Sequence, residues 1–323
     1  MDNRSFTPQD RVLVLGATGF VGRRLTAELS KKGFRLRLLV RDPARLASIL
    51  PEGSGDIEIA RGDLVENRDL EAALRGIHTA FYLVHSMGGK SLLRASGFAE
   101  KDKIAAENFV AAANSQGLKR VIYLGGLGET GDRLSEHLRS RAVIAEILSS
   151  GGIAATVLRA AVIVGAGGAS FEMLRYLVER LPVMICPRWI DTRIQPIAIR
   201  DVLLYLVGSL LNPATAGGVF DIGGPEILTY REMMEQYAEA RGLRRRLVIR
   251  VPLLTPTLSA YWVDLVSPVP SGIAPPLIEG LKNEVICRDS RIDAFVPIDK
   301  TPFKEAVRIA FSEETSGPGI TGF

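Results

Sequence analysis

The chain has little from which to build a disulfide framework or a metal site. Its 323 residues include two cysteines and three histidines. Cys186 and Cys287 have no metal-type spacing, which fits a reducing compartment and sets the expectation of a cytoplasmic protein without metal. No apolar run approaches the roughly 18 residues of a transmembrane helix. The polar start MDNRSFTPQDR leads straight into a strand and has no apolar signal-peptide core. There is no nucleophile elbow, which argues against that class of hydrolase. No internal repeat is visible.

What is present is the material of a globular protein. Hydrophobic residues make up 47% of the chain and charged residues 24%, enough for a sizeable core under an ordinary surface. The length fits one or two domains. The formal net charge is +4, and the one dense basic cluster is RGLRRRLVIR, residues 241–250. Clustered arginine can meet phosphate, nucleic acid or an anionic membrane surface. It can equally be a solvated helix end running into a strand. No nucleic-acid motif accompanies it, so no nucleic-acid partner is expected.

Along residues 1–165 strands and helices alternate with short connections. RVLVLG, FRLRLLVR, DIEIARGD, HTAFYLV, KRVIYLGG and GGIAATVLRAA read as six strands. Helical spacing lies between them, with the long alanine-rich FAEKDKIAAENFVAAANSQG the clearest case. This pattern predicts an α/β fold: a Rossmann-type, doubly wound parallel sheet with ligands at the carboxyl ends of its strands. From residue 166 to 323 the regularity falls, and a smaller C-terminal α/β substrate or lid region is expected, with segments returning to the sheet. Helices are predicted over 170–181, 200–211 and 229–241. The stretch 251–281 is apolar, aromatic and proline-rich. It reads as a lid, a dimer interface, a membrane-touching segment or a small packed subdomain. The tail SEETSGPGITGF is expected to fray.

VLVLGATGFVGRRL places Gly16, Gly19 and Gly22 between the first strand and the first helix. One glycine makes the tight turn, one lets the backbone approach a pyrophosphate, and one lets helix and strand pack closely. The helix N-terminus then offers free N–H groups to the phosphate. The loop as a whole, Gly16, Thr18, Gly19, Phe20, Val21 and Gly22, is the candidate phosphate site.

GATGFVG resembles the glycine loop of the extended and atypical short-chain dehydrogenase/reductase superfamily, and the resemblance runs over most of the chain. LRLLVRDPARL resembles the second-strand end of members that prefer NADP. RGDL resembles the turn beside the adenine. IQPIAIRDVLLYLV and FDIGGPEILTYREM resemble the C-terminal half of the NmrA-like and related atypical members. The resemblance implies a nicotinamide dinucleotide, with adenine contacts from Asp63 and Leu64 and nicotinamide-side contacts from Val84, His85 and Arg141.

An acidic residue at the end of the second strand binds the adenine ribose, whereas an arginine there accommodates a 2′-phosphate. Here Arg41 comes first, then Asp42, with Arg45 a turn further on and Arg23 at the start of the first helix. A guanidinium can bind a phosphate through two donors. NADP(H) is therefore expected over NAD(H). The opposing reading leaves Arg41 and Arg45 solvated and gives the ribose to Asp42.

The catalytic positions depart from the superfamily. Typical members carry a tyrosine and a lysine four residues apart on the helix after the fifth strand, and a serine at that strand's end. In this chain those places fall on His137 and Arg141 in LSEHLRSRAVIAEIL, and on Gly125 and Gly126. An asparagine of the fourth helix falls near Asp102. Arg141 can still bind ribose hydroxyls. His137 or His85, in YLVHSMGG, can supply a proton, with Ser86 a stand-in hydroxyl. Both histidines can equally be pocket walls.

Three readings follow. The first is an NADP(H)-dependent oxidoreductase acting on an apolar carbonyl, enone or quinone-like small molecule. The second is a non-catalytic NADP(H)-binding sensor, regulator or assembly factor with a protein partner. The third, a nucleotide-sugar epimerase or dehydratase, is weakened by the missing tyrosine and lysine. A monomer or homodimer is expected, with peripheral membrane contact open.

Overall fold

The computed structural model describes residues 6–7, 9–47, 55–85, 95–128, 136–251 and 283–315. The chain opens with β1 (Arg11–Leu15), α1 (Phe20–Lys31), β2 (Arg35–Val40), α2 (Ala44–Ala47), β3 (Ile57–Arg61), α3 (Leu70–Leu74) and β4 (Ile77–Tyr82). It continues with α4 (Ala95–Ser115), β5 (Arg120–Gly126), α5 (Glu136–Ser150) and β6 (Ala154–Ala160). Six strands thus form where the alternation predicted them. After a short β7 (Ile163–Val164) come α6 (Ala169–Arg180), β8 (Val183–Cys186), β9 (Arg193–Ile194), β10 (Ile197–Ala198) and α7 (Ile199–Leu211). The chain then forms β11 (Val219–Ile222), β12 (Leu228–Thr229), α8 (Tyr230–Ala240), β13 (Leu247–Arg250), α9 (Ile292–Phe295) and α10 (Phe303–Thr315).

The main sheet has seven strands in the order β11-β6-β5-β4-β1-β2-β3, and all its pairings are parallel. The seventh strand was absent from the sequence reading. It is the four-residue VFDI, brought back beside β6 through α7.

Both faces of the sheet are buried, which is why its strands read as apolar runs. In β1, Val12 and Val14 point into one core with Leu25, Leu38 and Leu206, under α1 and α7. Leu13 and Leu15 point into the other with Leu74, Phe109 and Leu148, under α3, α4 and α5. A third core holds the C-terminal layer together. There Phe171, Met173 and Val178 of α6 meet Met233 and Tyr237 of α8 and Val307 of α10. A capping box at Thr229 and Glu232 starts α8, satisfying two of the helix's orphan donors.

The strand order reverses between β1 and β4, so a crevice opens there at the carboxyl ends of the strands. Among the described residues no helix is long and apolar enough to cross a membrane, and no group of side chains has the makings of a metal site. The apolar stretch 251–281 lies, beyond Val251, outside the described residues.

Candidate active site

The glycine loop closes on itself. Gly19 N–H donates to Gly16 O at 3.0 Å, and Gly19 then stands as N-cap of α1. Gly16 has φ +84°, and a Cβ there would stand 2.8 Å from Leu83 O at the end of β4. At Gly22 a Cβ would reach 2.0 Å from Gly16 O. No side chain fits at either position, so strand and helix approach closely enough to leave a backbone cradle ahead of α1. That cradle fits a pyrophosphate on a helix N-terminus.

The second-strand end is exposed. Arg41 and Asp42 lie on the surface, and Asp42 Oδ1 accepts Ala44 N–H at 3.0 Å to start α2. The carboxylate is thereby drawn into a local turn. Arg23 is half-buried; burial lowers its pKa and the neighbouring Arg24 adds to this, against an opposing pull from Glu313. In the turn after β3, Asp63 Oδ1 accepts the N–H groups of Val65 and Glu66 at 2.8 and 3.1 Å. The Leu64 side chain is buried in the core, and its carbonyl accepts Asn108 Nδ2 at 2.7 Å.

From the loop a cavity of about 320 Å³ runs across the ends of β4, β5 and β6 into the C-terminal layer. Gly19, Phe20, Val21 and Gly22 form one end, with Val84 and His85 beside them. Its far wall is apolar: Met173, Leu174 and Leu177 of α6, Trp189, and Met233 and Met234 of α8. The polar groups converge at the sheet end of the cavity, at His85 and Arg141.

His85 Nδ1 lies 3.1 Å from Oδ2 of Asp102, a buried carboxylate on α4. Burial pushes the imidazole below its ordinary value and Arg141 adds to that, while Asp102 pulls it back up. The ring is therefore neutral near pH 7. With a carboxylate facing Nδ1, the ring proton belongs there, leaving the Nε2 lone pair for a ligand. Arg141 is lowered by burial and held up by Tyr123 and Asp102. Tyr123 donates its hydroxyl to the Arg141 carbonyl at 3.3 Å, and burial raises its pKa to about 12. Tyr82, packed edge-on against Tyr123, is raised further still. Both phenols stay neutral and are poor proton donors.

Two departures in the sequence prove to be coupled. A Cβ at Gly126 would come within 2.9 Å of Arg141 Cδ and 3.1 Å of Leu138 Cδ2. Arg141 thus fills the room that a side chain on β5 would need.

His137 lies in the first turn of α5, and its side chain is outside the described residues, as is Ser86. The third histidine, His78, is remote. Its ring packs on Phe6 at the opposite end of β4, with Nδ1 2.9 Å from Thr79 Oγ1. The residue that sequence reasoning left without a role is Asp102. Its signals were its place near the asparagine position of the fourth helix and its spacing of four from Ala106 on the inward face of an alanine-rich helix.

Residues 16–165 match the model of a family described as NAD(P)H-binding. Over 90% of its length the chain is 24% identical to the mitochondrial NADH dehydrogenase [ubiquinone] 1 alpha subcomplex subunit 9 of Arabidopsis thaliana, covering 74% of that protein. It is 28% identical to a ceramide reductase of Caulobacter vibrioides, over 75% of this chain and 73% of that one. Among solved structures, a nucleoside-diphosphate-sugar epimerase from Staphylococcus aureus superposes with a TM-score of 0.72 at 17% identity, covering 92% of this chain and 99% of the other. That likeness is one of fold.

Proposed function

We propose, from the match of residues 16–165 to an NAD(P)H-binding family, that the protein is an atypical short-chain dehydrogenase/reductase and an NADP(H)-dependent reductase of an apolar carbonyl, enone or quinone-like small molecule. The observation that carries the reading is a single cavity. It joins the glycine loop, the His85–Asp102 pair and an apolar wall from α6 and α8. The likeness to a ceramide reductase supports an apolar substrate.

When bound, the dinucleotide supplies a hydride. The chain's own residues do the rest. The N–H groups ahead of α1 bind the pyrophosphate. Arg41, exposed at the end of β2, binds the 2′-phosphate, with Asp42 held away in its own turn. Arg141 holds ribose hydroxyls. Residues of α6 and α8 exclude water from the reacting oxygen. His85 Nε2, with Asp102 at Nδ1, takes the proton of an alcohol in the oxidative direction. As imidazolium it returns that proton to the substrate oxygen in reduction.

The second reading is a nucleotide-binding protein without turnover. It is favoured by the glycines at the serine position and by the likeness to a subunit of NADH dehydrogenase over most of the chain.

Calorimetry with NADPH and NADH, followed by nicotinamide absorbance against apolar ketones, enones and quinones, separates the two. Turnover with NADPH is the expected result. Binding with no turnover across the panel supports the second reading. Arg41→Ala is expected to weaken NADPH by roughly tenfold or more and leave NADH little changed, the cost of about one charge-assisted contact. Equal weakening of both nucleotides defeats the 2′-phosphate assignment.

A further inference from the structure

The small ribbon of β8 and β13 has the wrong outer face for a strand pair in water. Its two strands are parallel, with Val183 opposite Leu247 and Ile185 opposite Ile249. The alternate residues Met184, Cys186 and Val248 face inward onto the third core. The outward positions, which a half-solvated pair normally gives to polar residues, hold Val183, Ile185, Leu247 and Ile249. They are 48%, 54%, 58% and 43% exposed. Directly opposed pairs make them one continuous aliphatic block. A contiguous apolar patch on a soluble domain marks a contact surface.

Around this block arginines outnumber the acids that face them. Residues 241–250 hold five arginines and no carboxylate. Arg246 is turned inward, donating to Val178 O at 2.7 Å. Arg244 and Arg245 are exposed just before β13, and Arg250 at its end. The acids facing them are few: Glu235 is 3.6 Å from Arg245, and Asp191 is 3.2 Å from Arg250. Each pair is solvent-exposed and of little energetic consequence.

We propose that the outer face of the β8–β13 ribbon, with Arg244, Arg245 and Arg250, docks on an anionic phospholipid bilayer. An aliphatic centre with a cationic rim matches the boundary between acyl chains and acidic headgroups. Two other occupants fit worse. Residues 252–282 carry only Asp264 and Glu279 as acids, too little charge to answer the arginine rim. A second copy joined about a twofold axis would set the same arginines against themselves. The docking does not depend on whether the cavity turns over a substrate.

The test is co-sedimentation of the full chain with vesicles of phosphatidylcholine alone and of phosphatidylcholine mixed with phosphatidylglycerol. The protein is expected to bind only the mixed vesicles, less so as salt rises. Arg244→Gln with Arg245→Gln is expected to weaken partitioning about 25-fold, a factor of about five for each arginine at an anionic surface. Ile185→Ser with Leu247→Ser is expected to abolish binding without changing net charge, and its thermal melt should match that of the parent chain. Equal binding to both vesicle types, or to neither, overturns the proposal. So does an Ile185→Ser/Leu247→Ser protein that binds like the parent. Sedimentation of the parent as a dimer and of that variant as a monomer assigns the patch to self-association and overturns it too.

Discussion

At Gly22 one methyl group would break the approach of α1 to the end of β1. A Cβ there would sit 2.0 Å from Gly16 O, a backbone atom that cannot rotate away. Gly22→Ala is therefore expected to push α1 off β1 and to weaken NADPH by at least about tenfold, roughly the loss of one charge-assisted hydrogen bond or more. Unchanged affinity by calorimetry would show that the loop is not the phosphate site. His85 makes a second prediction, in pH. Burial and Arg141 hold its pKa below about 6.5, the ordinary imidazole value. As the proposed acid it carries the proton in reduction, so the reductive rate is expected to fall as pH rises through that depressed pKa. Oxidation, which needs the neutral ring, should rise with pH and level off. His85→Gln should flatten both profiles and cost about 10²–10⁴-fold in kcat, the range of general acid–base catalysis. Asp102→Asn should shift the profile while leaving NADPH binding intact. An unaltered profile in both variants would remove proton transfer from His85. The same shift bears on stability. The unfolded imidazole binds its proton first, so the folded state loses stability as pH falls from about 6.5 toward the folded pKa. The glycine loop was legible in the sequence because each glycine answers a local steric demand. The pairing of Asp102 with His85 was not, because the two are 17 positions apart on different elements.

Between elements, the C-terminal layer is tied to the nucleotide domain by a buried carboxylate. Asp201, in the first turn of α7, accepts Thr301 N–H at 2.7 Å and Thr301 Oγ1 at 2.8 Å just before α10. Asp201→Ala leaves both donors buried without an acceptor, at a cost of about 1–3 kcal/mol for each. Chemical denaturation should show a loss of about 2–6 kcal/mol on that basis. A variant as stable as the parent would mean that water replaces the carboxylate. This link also shows where the sequence goes quiet. The strands β1, β2, β4, β5 and β6 are buried on both faces and announce themselves as apolar runs. β11 has only four residues, and its membership in the sheet depends on α7 crossing back over α1. β8 and β13 are shorter still in signal, because each has one apolar face inward and another outward. Their pairing spans some sixty residues of intervening chain.

For the whole molecule, the cavity is walled by the nucleotide domain on one side and by α6 and α8 on the other. Ligands that fill it should hold the two together. NADPH at 100 times its Kd is expected to stabilise the fold by about 2.7 kcal/mol, visible as a raised Tm. NADH at the same concentration should do less. Equal shifts would speak against the 2′-phosphate assignment. The class of cofactor was readable from the sequence at this scale. The apolar wall was not, because Met173, Trp189 and Met233 come from three segments with no common motif. The reaction proposed for that cavity is hydride transfer into an apolar substrate. It is tested most directly with NADPH deuterated at C4 of the nicotinamide, offered on each face in turn, and mass spectrometry of the product. For a ketone or enone, one deuterium is expected on the former carbonyl or alkene carbon from one face only, with incorporation slowed about 10²–10⁴-fold in His85→Gln. No label in any ketone or enone product, together with no NADPH oxidation by any quinone while NADPH stays bound, would refute hydride transfer in this cavity.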